Sequence, residues 1–325
     1  MNGVLKTQAQ YYNDPVKYTG EGGTETNKAV IEDIYDLCAW HYVMSMQPDI
    51  YAVTQHRQYA VMVNDVNFNN HDTMSFGITD DTLLDMNFGG NGGELDGAGH
   101  SIFNMVIDAN TPTTSQNGIV SRGTVRNVNF KNVVLLNANR TKQYPIFKSL
   151  TMRFCNISAY INAKIFTVLI SNTIDASDCT FNIGGAVADY RLIGGDTSSY
   201  NIQANRCLFN FSNLVVTHGT GNILINTGTT STFSNCAFTG LIYQKNVATA
   251  SYLSSARHNN CYFAIMTGIT EYTKLFNSTT YISGMNMIDI DLLAGTYEDG
   301  TNYMCVHTAN LKNKEFLQQN GFITL

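Results

Sequence analysis

One short phrase recurs along this 325-residue chain and restricts the folds that it can adopt. Cysteine stands at five positions separated by 24, 28, 29 and 25 residues, and phenylalanine follows two residues after four of them. Self-similarity at a nearly fixed period is the signature of repeat architectures. The cysteines are Cys155, Cys179, Cys207, Cys236 and Cys261, and the residues two positions on are Ile157, Phe181, Phe209, Phe238 and Phe263.

The phrase extends toward both ends of the chain if Val or Met replaces Cys. Val128 and Phe130, in "RNVNFKN", occupy its two positions 27 residues before Cys155. The pattern therefore predicts further coils on both sides of the cysteine region. The additional pairs are Met105 with Ile107, Met86 with Phe88, Val66 with Phe68 and, more weakly, Met287 with Asp289.

The two-residue step of the phrase indicates β-strands. Residues i and i+2 of a strand point to the same face, so the Cys and Phe positions share one apolar face. Clusters rich in Gly, Asn, Ser and Thr, such as "NIGG" and "GTGN", supply turns between short strands. A solenoid of stacked strands fits this pattern better than leucine-rich or propeller repeats, because the sequence has no Leu ladder and no Trp-Asp signature.

The recurring cysteines are predicted to form an interior column beside a column of phenylalanines. A buried free Cys behaves as a small hydrophobic residue. A redox or metal array is the alternative, but the chain has no C-x-x-C pair, so no metal or other cofactor is predicted. Arg206 adjoins Cys207, and strand alternation is expected to turn it outward. Seven cysteines, an odd number, favour reduced thiols made in a cytoplasm.

Charge and hydropathy argue against several classes of partner. Charged residues are 14% of the chain and the net charge is −6, so no basic surface for nucleic acid is expected. No apolar run reaches the 18 residues or so that a membrane-spanning helix needs. The opening "MNGVLKTQAQYYNDP" has no apolar core of a secretion signal, so none is predicted.

The segment Gly92–Asp108, "GGELDGAGHSIFNMVID", resembles the phrase that opens coils in right-handed parallel β-helix proteins of the pectate-lyase-like superfamily. The resemblance implies an all-β, single-stranded, right-handed parallel β-helix with capped ends. The superfamily includes polysaccharide lyases, glycoside hydrolases, bacterial adhesins, and bacteriophage tailspikes and other virion proteins. Phage members are often homotrimers, and a trimer is expected here by resemblance.

Four segments are expected from this resemblance and from local patterns. Residues 1–23 fit neither cap nor coil and form a disordered leader or an attachment arm, in which Tyr11, Tyr12 and Tyr18 are candidate binding residues. Residues 24–60 carry a capping helix, with Thr24 or Thr26 as N-cap and apolar residues at helical spacing. The β-helix covers 61–300, and 301–325 form a C-terminal cap with a short helix from about Asn310. The helical residues are Val30, Ile31, Ile34, Leu37 and Cys38 at the first cap and Leu311, Phe316 and Leu317 at the second, before a C-terminal Gly321.

Carboxylates decide whether such a chain can cleave sugars. Glycoside hydrolases need a pair, and lyases need a base. No Asp or Glu occurs from Thr197 to Thr270, so the middle coils hold no such site of their own. The best catalytic candidates are an acidic cluster with one histidine, for which turn formation is the simpler explanation. They are Asp80, Asp81, Asp85, Asp96 and His100.

Three other polar features have simpler structural explanations. His218 is explained as a turn histidine, Asp189 and Arg191 as a surface pair, and Asp289 with Asp291 as a solvent-facing pair on one strand. Tyrosines along the coils offer a carbohydrate-binding face, against the simpler view of scattered surface rings. They are Tyr160, Tyr190, Tyr200, Tyr243, Tyr252 and Tyr262.

The function expected from these observations is a structural or adsorption component of a bacteriophage particle: a head decoration, head fibre, spike or tail appendage. Such a protein is made in the bacterial cytoplasm, docks on other virion proteins by its N-terminus and presents its β-helix to a surface or a host glycan. The alternatives are a β-helix polysaccharide depolymerase and a bacterial surface adhesin.

Overall fold

A computed structural model describes most of the repeat region and its two flanks. The described residues are 25–26, 28–34, 36–37, 40, 59–69, 84–85, 93–108, 120–137, 144–163, 167–187, 193–194, 201–216, 225–226, 230–244, 251–254, 256–267, 274–276, 281–292 and 298–319.

The described part of the chain forms two β-sheets, numbered here with strands in chain order. The first sheet consists of β1 (Ala29–Ile31), β2 (Tyr59–Met62), β4 (Leu84–Asp85), β5 (Gly93–Asp96), β8 (Val120–Arg126), β10 (Tyr144–Arg153), β12 (Thr167–Ser177), β14 (Ile193–Gly194), β15 (Asn201–Asn205), β17 (Ile225–Asn226), β18 (Thr232–Ser234), β20 (Ser251–Ser254), β21 (Arg257–Asn259), β23 (Lys274–Phe276) and β24 (Tyr281–Ser283). The second sheet consists of β3 (Val66–Asn67), β6 (Ser101–Phe103), β7 (Val106–Asp108), β9 (Asn129–Asn137), β11 (Asn156–Ala163), β13 (Thr180–Val187), β16 (Leu208–Val216), β19 (Ala237–Gln244), β22 (Tyr262–Thr267), β25 (Asn286–Asp289) and β26 (Tyr303–Val306).

Every strand pairing among the described residues is parallel. The chain passes from one sheet to the other and pairs each strand with its counterpart one coil later, as in β9, β11, β13, β16, β19 and β22. The predicted all-β parallel solenoid is therefore confirmed.

The interior of the solenoid is built from stacked columns of equivalent residues. Phe181, Phe209, Phe238 and Phe263 pair in register, and successive rings are stacked with centroids 4.9, 5.0 and 5.1 Å apart. This spacing matches the distance of about 4.8 Å between neighbouring strands. Because each ring is fully buried, the column supplies much of the apolar core.

The cysteines lie at a two-residue corner that joins the sheets. In the corner between β10 and β11, Phe154 is left-handed (φ +53°) and Cys155 points inward. The thiol of Cys236 lies 3.3 Å from the carbonyl oxygen of Ser234 and 3.5 Å from that of Ala204, one coil earlier. Its burial raises its pKa well above the usual thiol value. The thiols thus serve as small apolar residues that also donate weak hydrogen bonds to corner carbonyls.

The proposed register of the outer repeats is wrong where the corner changes length. Four residues separate Asp96 from Ser101, although only two separate their partners Arg126 and Asn129. His100 and Ile102, rather than Met105 and Ile107, are therefore the counterparts of Val128 and Phe130.

Two further register assignments fail for the same kind of reason. Val66 pairs with Ile102, so it occupies the Phe column and not the Cys column. At the other end, three residues separate Ser283 from Met287, although only two separate their partners Asn259 and Tyr262. Ile288 therefore pairs with Phe263, the buried Asn286 takes the position of the cysteine, and Met287 is not the counterpart of Cys261. The Asn286 side chain accepts a hydrogen bond of 2.8 Å from the backbone nitrogen of Cys261. Met86 and Phe88 lie outside the described residues.

The first cap combines a strand and a helical segment. Val30 and Ile31 belong to β1, which pairs with β2, so their assignment to the capping helix is wrong. These β-branched residues alternate, with Ile31 buried and Val30 exposed, as strand geometry requires. Helical structure follows, and Ile34, Leu37 and Trp40 are buried on it at intervals of three residues.

The second cap holds two short helices instead of one. They are α1 (Thr308–Leu311) and α2 (Lys314–Gln319). Asn313 interrupts them because its side-chain oxygen accepts a hydrogen bond from the Phe316 backbone nitrogen at 3.1 Å, a capping arrangement that starts a new helix. Cys38 and Gly321 lie outside the described residues.

Candidate functional site: a groove on the second sheet

A shallow groove crosses the outer face of the second sheet over β9, β11, β13 and β16. Its volume is about 660 Å³. Its lining consists of backbone, hydroxyl, amide and small apolar groups with one aromatic ring. The lining residues are Asn132, Ser158, Ala159, Tyr160, Asn182, Gly184, Gly185, Ala186, Asn210, Ser212, Asn213 and Val215.

Tyr160 forms a wall of this groove because its neighbour on the next coil has no side chain. Tyr160 points outward from β11 and is 52% exposed. It pairs with Gly184 on β13, which pairs in turn with Ser212 on β16. A ring that stands beside a glycine and a small hydroxyl residue leaves its flank open, and this produces the concave floor.

A bulge shapes the far side of the groove. The register between β13 and β16 shifts by one residue at Asn213, which is left-handed (φ +53°). Gly185, opposite the bulge, has φ +112°, and a Cβ atom there would lie 2.0 Å from the carbonyl oxygen of Ile161. Only glycine fits this backbone, so the bulge and the glycine pair fix the width of the groove.

Amide and hydroxyl side chains line the same face in an ordered ladder. Thr239 donates its hydroxyl hydrogen to the Asn210 side-chain oxygen at 3.0 Å. Asn210 donates in turn from its amide nitrogen to the Asn182 oxygen at 3.0 Å. The direction of these bonds leaves the amide nitrogen of Asn182 as the donor end, next to Ser158, with which Asn182 pairs across the strands.

The groove carries no formal charge. None of its described lining residues is Asp, Glu, His, Lys or Arg. General acid–base catalysis near neutral pH most often uses His, Asp, Glu or Lys side chains. The lining can therefore donate and accept hydrogen bonds and offer an aromatic face, which is the chemistry of binding a neutral polar ligand.

The acidic candidates from the sequence do not gather in this groove. Asp80 and Asp81 lie outside the described residues. Asp85 pairs with Ser121 and Asp96 with Arg126, both along β8. Five residues of strand correspond to about 17 Å. Paired hydrolase carboxylates lie within about 10 Å, so the backbone does not bring Asp85 and Asp96 together as such a pair.

Asp96 has a structural role, because both oxygens of its carboxylate are engaged by neighbouring groups. One oxygen accepts hydrogen bonds of 3.0 Å from Ala98 and Asn127, and the other lies 3.0 Å from Arg126 and 3.7 Å from Lys28. Burial by itself raises the pKa of Asp96, but these hydrogen bonds and positive charges outweigh it and hold the pKa below its usual value. Asp96 therefore stays ionised near neutral pH and has no proton to donate.

The remaining candidate residues occupy separate places. His100 lies at the wide corner, with its Nδ1 3.4 Å from Asp65. Asp289 is buried, not solvent-facing as the sequence suggested. Its carboxylate accepts a hydrogen bond of 2.8 Å from the Thr308 hydroxyl of the C-terminal cap. Asp291 is exposed and accepts hydrogen bonds from the Thr308 backbone nitrogen and from His307. These hydrogen bonds, with that from His307 the strongest influence, lower the pKa of Asp291.

Other polar candidates fall on parts of the chain without a structural description. Outside the described residues lie Tyr11, Tyr12, Tyr18, Asp189, Tyr190, Arg191, Tyr200 and His218. Of the coil tyrosines, Tyr243 belongs to β19 and Tyr252 to β20. Tyr262 is half-buried on β22, and this burial raises its pKa. Of the two coil tyrosines whose side chains the structure describes, Tyr160 is strongly exposed and lines a groove, and Tyr262 is not.

Arg206 illustrates how an outward corner residue is accommodated. It turns away from the Cys column, and its guanidinium forms two hydrogen bonds of 2.6 Å with Asp178 one coil earlier. The Arg206 contact lowers the pKa of Asp178. The outward orientation that strand alternation predicted is observed.

Among the described residues, no group of three or more His, Cys, Asp or Glu side chains is arranged to hold a metal ion. Among the same residues, no helix is long and apolar enough to cross a membrane.

Sequence reasoning identified Tyr160 but missed the rest of the groove. A signal was present in the repeated phrase, since Asn182 and Asn210 both follow their cysteines by three residues. The contributions of Gly184 and Asn213 depend on strand register, which residue types alone do not provide.

Comparison with known proteins adds little to this geometry. No family model matches the chain, and no curated protein matches it. Among solved structures, the chain is similar to a protein from Bacteroides ovatus that is provisionally assigned as an immunoglobulin A1 protease. The identity is 13% and the TM-score 0.36, over 91% of this chain and 89% of the other. A likeness at this level does not transfer an activity.

Proposed function

We propose that the protein is an adsorption protein that binds a neutral glycan in the groove of the second sheet and does not cleave it there. The observation that carries the proposal is the composition of the groove: one exposed tyrosine beside a glycine floor and a ladder of amides and hydroxyls, without a charged side chain.

The chemistry of these groups matches that of a sugar. The aromatic ring of Tyr160 offers a flat apolar surface with a polar hydroxyl at its edge, which suits the C–H face of a sugar ring. Asn182 and Ser158 donate and accept hydrogen bonds, and such groups fix the orientation of hydroxyl-rich ligands. An acidic polysaccharide would find no cation in the groove, so a neutral glycan is the better ligand.

A polysaccharide depolymerase is the second candidate function. Such an enzyme needs a carboxylate pair or a base beside the bound sugar, and the described lining of the groove supplies neither. A depolymerase would have to use carboxylates away from this groove, such as Asp80 and Asp81.

Binding and product release distinguish the two functions. The wild-type protein is titrated by calorimetry with neutral oligosaccharides of hexose, N-acetylhexosamine and 6-deoxyhexose, each as dimer and hexamer, and with acidic uronate hexamers. We expect saturable binding of a neutral hexamer, weaker or no binding of uronates, and no new reducing ends or unsaturated uronate after incubation. Failure to bind any neutral oligosaccharide, or turnover of the bound one, would contradict the proposal.

We also propose that the solenoid is carried on a bacteriophage particle, made in the bacterial cytoplasm and attached to other virion proteins, as a homotrimer. The support comes from the sequence: the Gly92–Asp108 resemblance, and the Tyr-rich residues 1–23 with Tyr11, Tyr12 and Tyr18 as docking side chains. Aromatic residues of this kind are enriched at protein interfaces.

Deletion of residues 1–23 tests the attachment. The truncated protein is expected to fold with an unchanged unfolding temperature and to bind glycan as before, yet to be missing from purified particles. Incorporation at the wild-type level would show that attachment does not use this segment. Replacement of Tyr11, Tyr12 and Tyr18 by serine in the full chain serves as the matched variant.

A further inference from the structure

Phe154 occupies a backbone conformation that its side chain does not favour. Its φ is +53°, in the left-handed region, and its ring is 59% exposed. For a bulky residue, this conformation costs about 1–2 kcal/mol. An exposed ring gains little from burial in return, and strain of this kind concentrates at functional positions.

The other coils show what this corner usually contains. The corresponding left-handed residues are Asn and Asp, which tolerate the conformation best, and Arg206, which is held by Asp178. Phe154 alone among these corners combines the strain with an exposed apolar ring. The corner residues are Asn127, Phe154, Asp178, Arg206, Asn235 and Asn260.

Phe154 borders a second hollow of about 570 Å³. Its other sides are Ala98, Gly99 and three asparagines. Asn156 donates to the side-chain oxygen of Asn129 at 2.8 Å, and Asn129 donates to the carbonyl oxygen of Gly99 at 2.7 Å. These bonds leave the side-chain oxygen of the exposed Asn156 as the acceptor end of the ladder. The hollow therefore repeats the composition of the first groove, an exposed ring beside amides, without charge.

One strand connects the two hollows. Asn156, Ser158 and Tyr160 alternate along β11, and all three are exposed. They span about 13 Å of strand, and Phe154 extends the row around the corner. A monosaccharide at Tyr160 would not reach Phe154, whereas an extended oligosaccharide would.

We propose that Phe154 is the second aromatic subsite of the same binding surface, and that the ligand is an oligosaccharide lying along β11 from Tyr160 to Phe154. This rests on the proposed function, and it assigns the ligand a length and direction. The left-handed backbone at this corner directs the Phe154 ring outward, where the ligand stacks on it.

The test uses Phe154→Asn, which introduces the residue type found most often at the corresponding corners of the other coils. Its unfolding midpoint in urea is expected to stay level or to rise, because the strain is relieved. By calorimetry with the neutral series described above, the affinity for the hexamer is expected to fall about tenfold, the usual scale for losing one aromatic contact, while that for the dimer stays the same. Phe154→Tyr, which keeps a ring, should keep the hexamer affinity.

Asn235→Phe is the matched control, because it places the same ring in the same backbone conformation three coils away. It is expected to lower the unfolding midpoint without raising affinity. If Phe154→Asn does not fold, Phe154→Gly replaces it, since glycine adopts left-handed conformations freely.

The outcomes separate this inference from the proposed function. If Tyr160→Ala weakens binding and Phe154→Asn leaves the hexamer affinity unchanged, the second subsite is refuted. The proposed binding of glycan in the groove would still be supported. If the wild-type protein binds no neutral oligosaccharide, both are refuted. Equal losses for dimer and hexamer on Phe154→Asn would also contradict a remote subsite.

Discussion

Replacing Phe209 by alanine is expected to lower the free energy of unfolding by about 3–5 kcal/mol. Phe209 is fully buried and stacks between Phe181 and Phe238 at 4.9 and 5.0 Å, with Phe233 edge-on at 5.9 Å. Alanine would remove three ring contacts and leave a cavity in a column whose spacing is fixed by the strands, so the neighbours can relax only partly.

Urea denaturation followed by circular dichroism measures this loss. Leu208→Ala is the control, since Leu208 is the adjacent residue on the same strand, points outward and is only partly buried. Its cost is expected to be about 1 kcal/mol or less. A loss for Phe209→Ala no larger than that of the control would mean that the phenylalanine column is not the core of the solenoid.

The constant two-residue corner explains why the sequence could predict the central coils. Between Cys155 and Cys261 the spacing of the cysteines equals the spacing of the strands, because each corner holds one left-handed residue and one inward residue. Coil length varies from 24 to 29 residues through the loops outside the corner, and this variation does not disturb the phrase.

The same reasoning fails where the corner itself gains residues. The turn Gly97–His100 and the corner before Met287 each shift the pattern, so Met105 and Met287 were matched to the wrong positions. The helix predicted from apolar periodicity does not include Val30 and Ile31, because parallel pairing of these residues with β2 outweighs the local apolar pattern.

The candidate site was predictable only in part. An exposed tyrosine on a repeat strand can be guessed from composition, and Tyr160 was among six such candidates. Whether its flank is open depends on which residue the next coil places beside it. That residue is Gly184 only because the two strands pair in this register.

Replacing Tyr160 by alanine is expected to weaken binding of a neutral oligosaccharide by at least tenfold. The ring is half exposed and is the aromatic wall of the groove, and loss of a central aromatic contact commonly costs more than 1 kcal/mol. Because the side chain is not part of the core, the free energy of unfolding should change by about 0.5 kcal/mol or less.

Two control variants distinguish loss of the Tyr160 ring from a general effect of the substitution on the fold. Tyr160→Phe keeps the aromatic face and should retain most of the affinity. Tyr59→Ala removes a half-buried tyrosine from the first sheet, away from the groove, and should leave the affinity unchanged.

The most direct measurement is a calorimetric titration of the wild-type protein and Tyr160→Ala with the neutral hexamer that binds best. We expect one saturable site per chain in the wild type and an affinity at least tenfold lower in the variant, with equal unfolding midpoints. Equal affinities for the two proteins would contradict the assignment of the groove as the glycan-binding site.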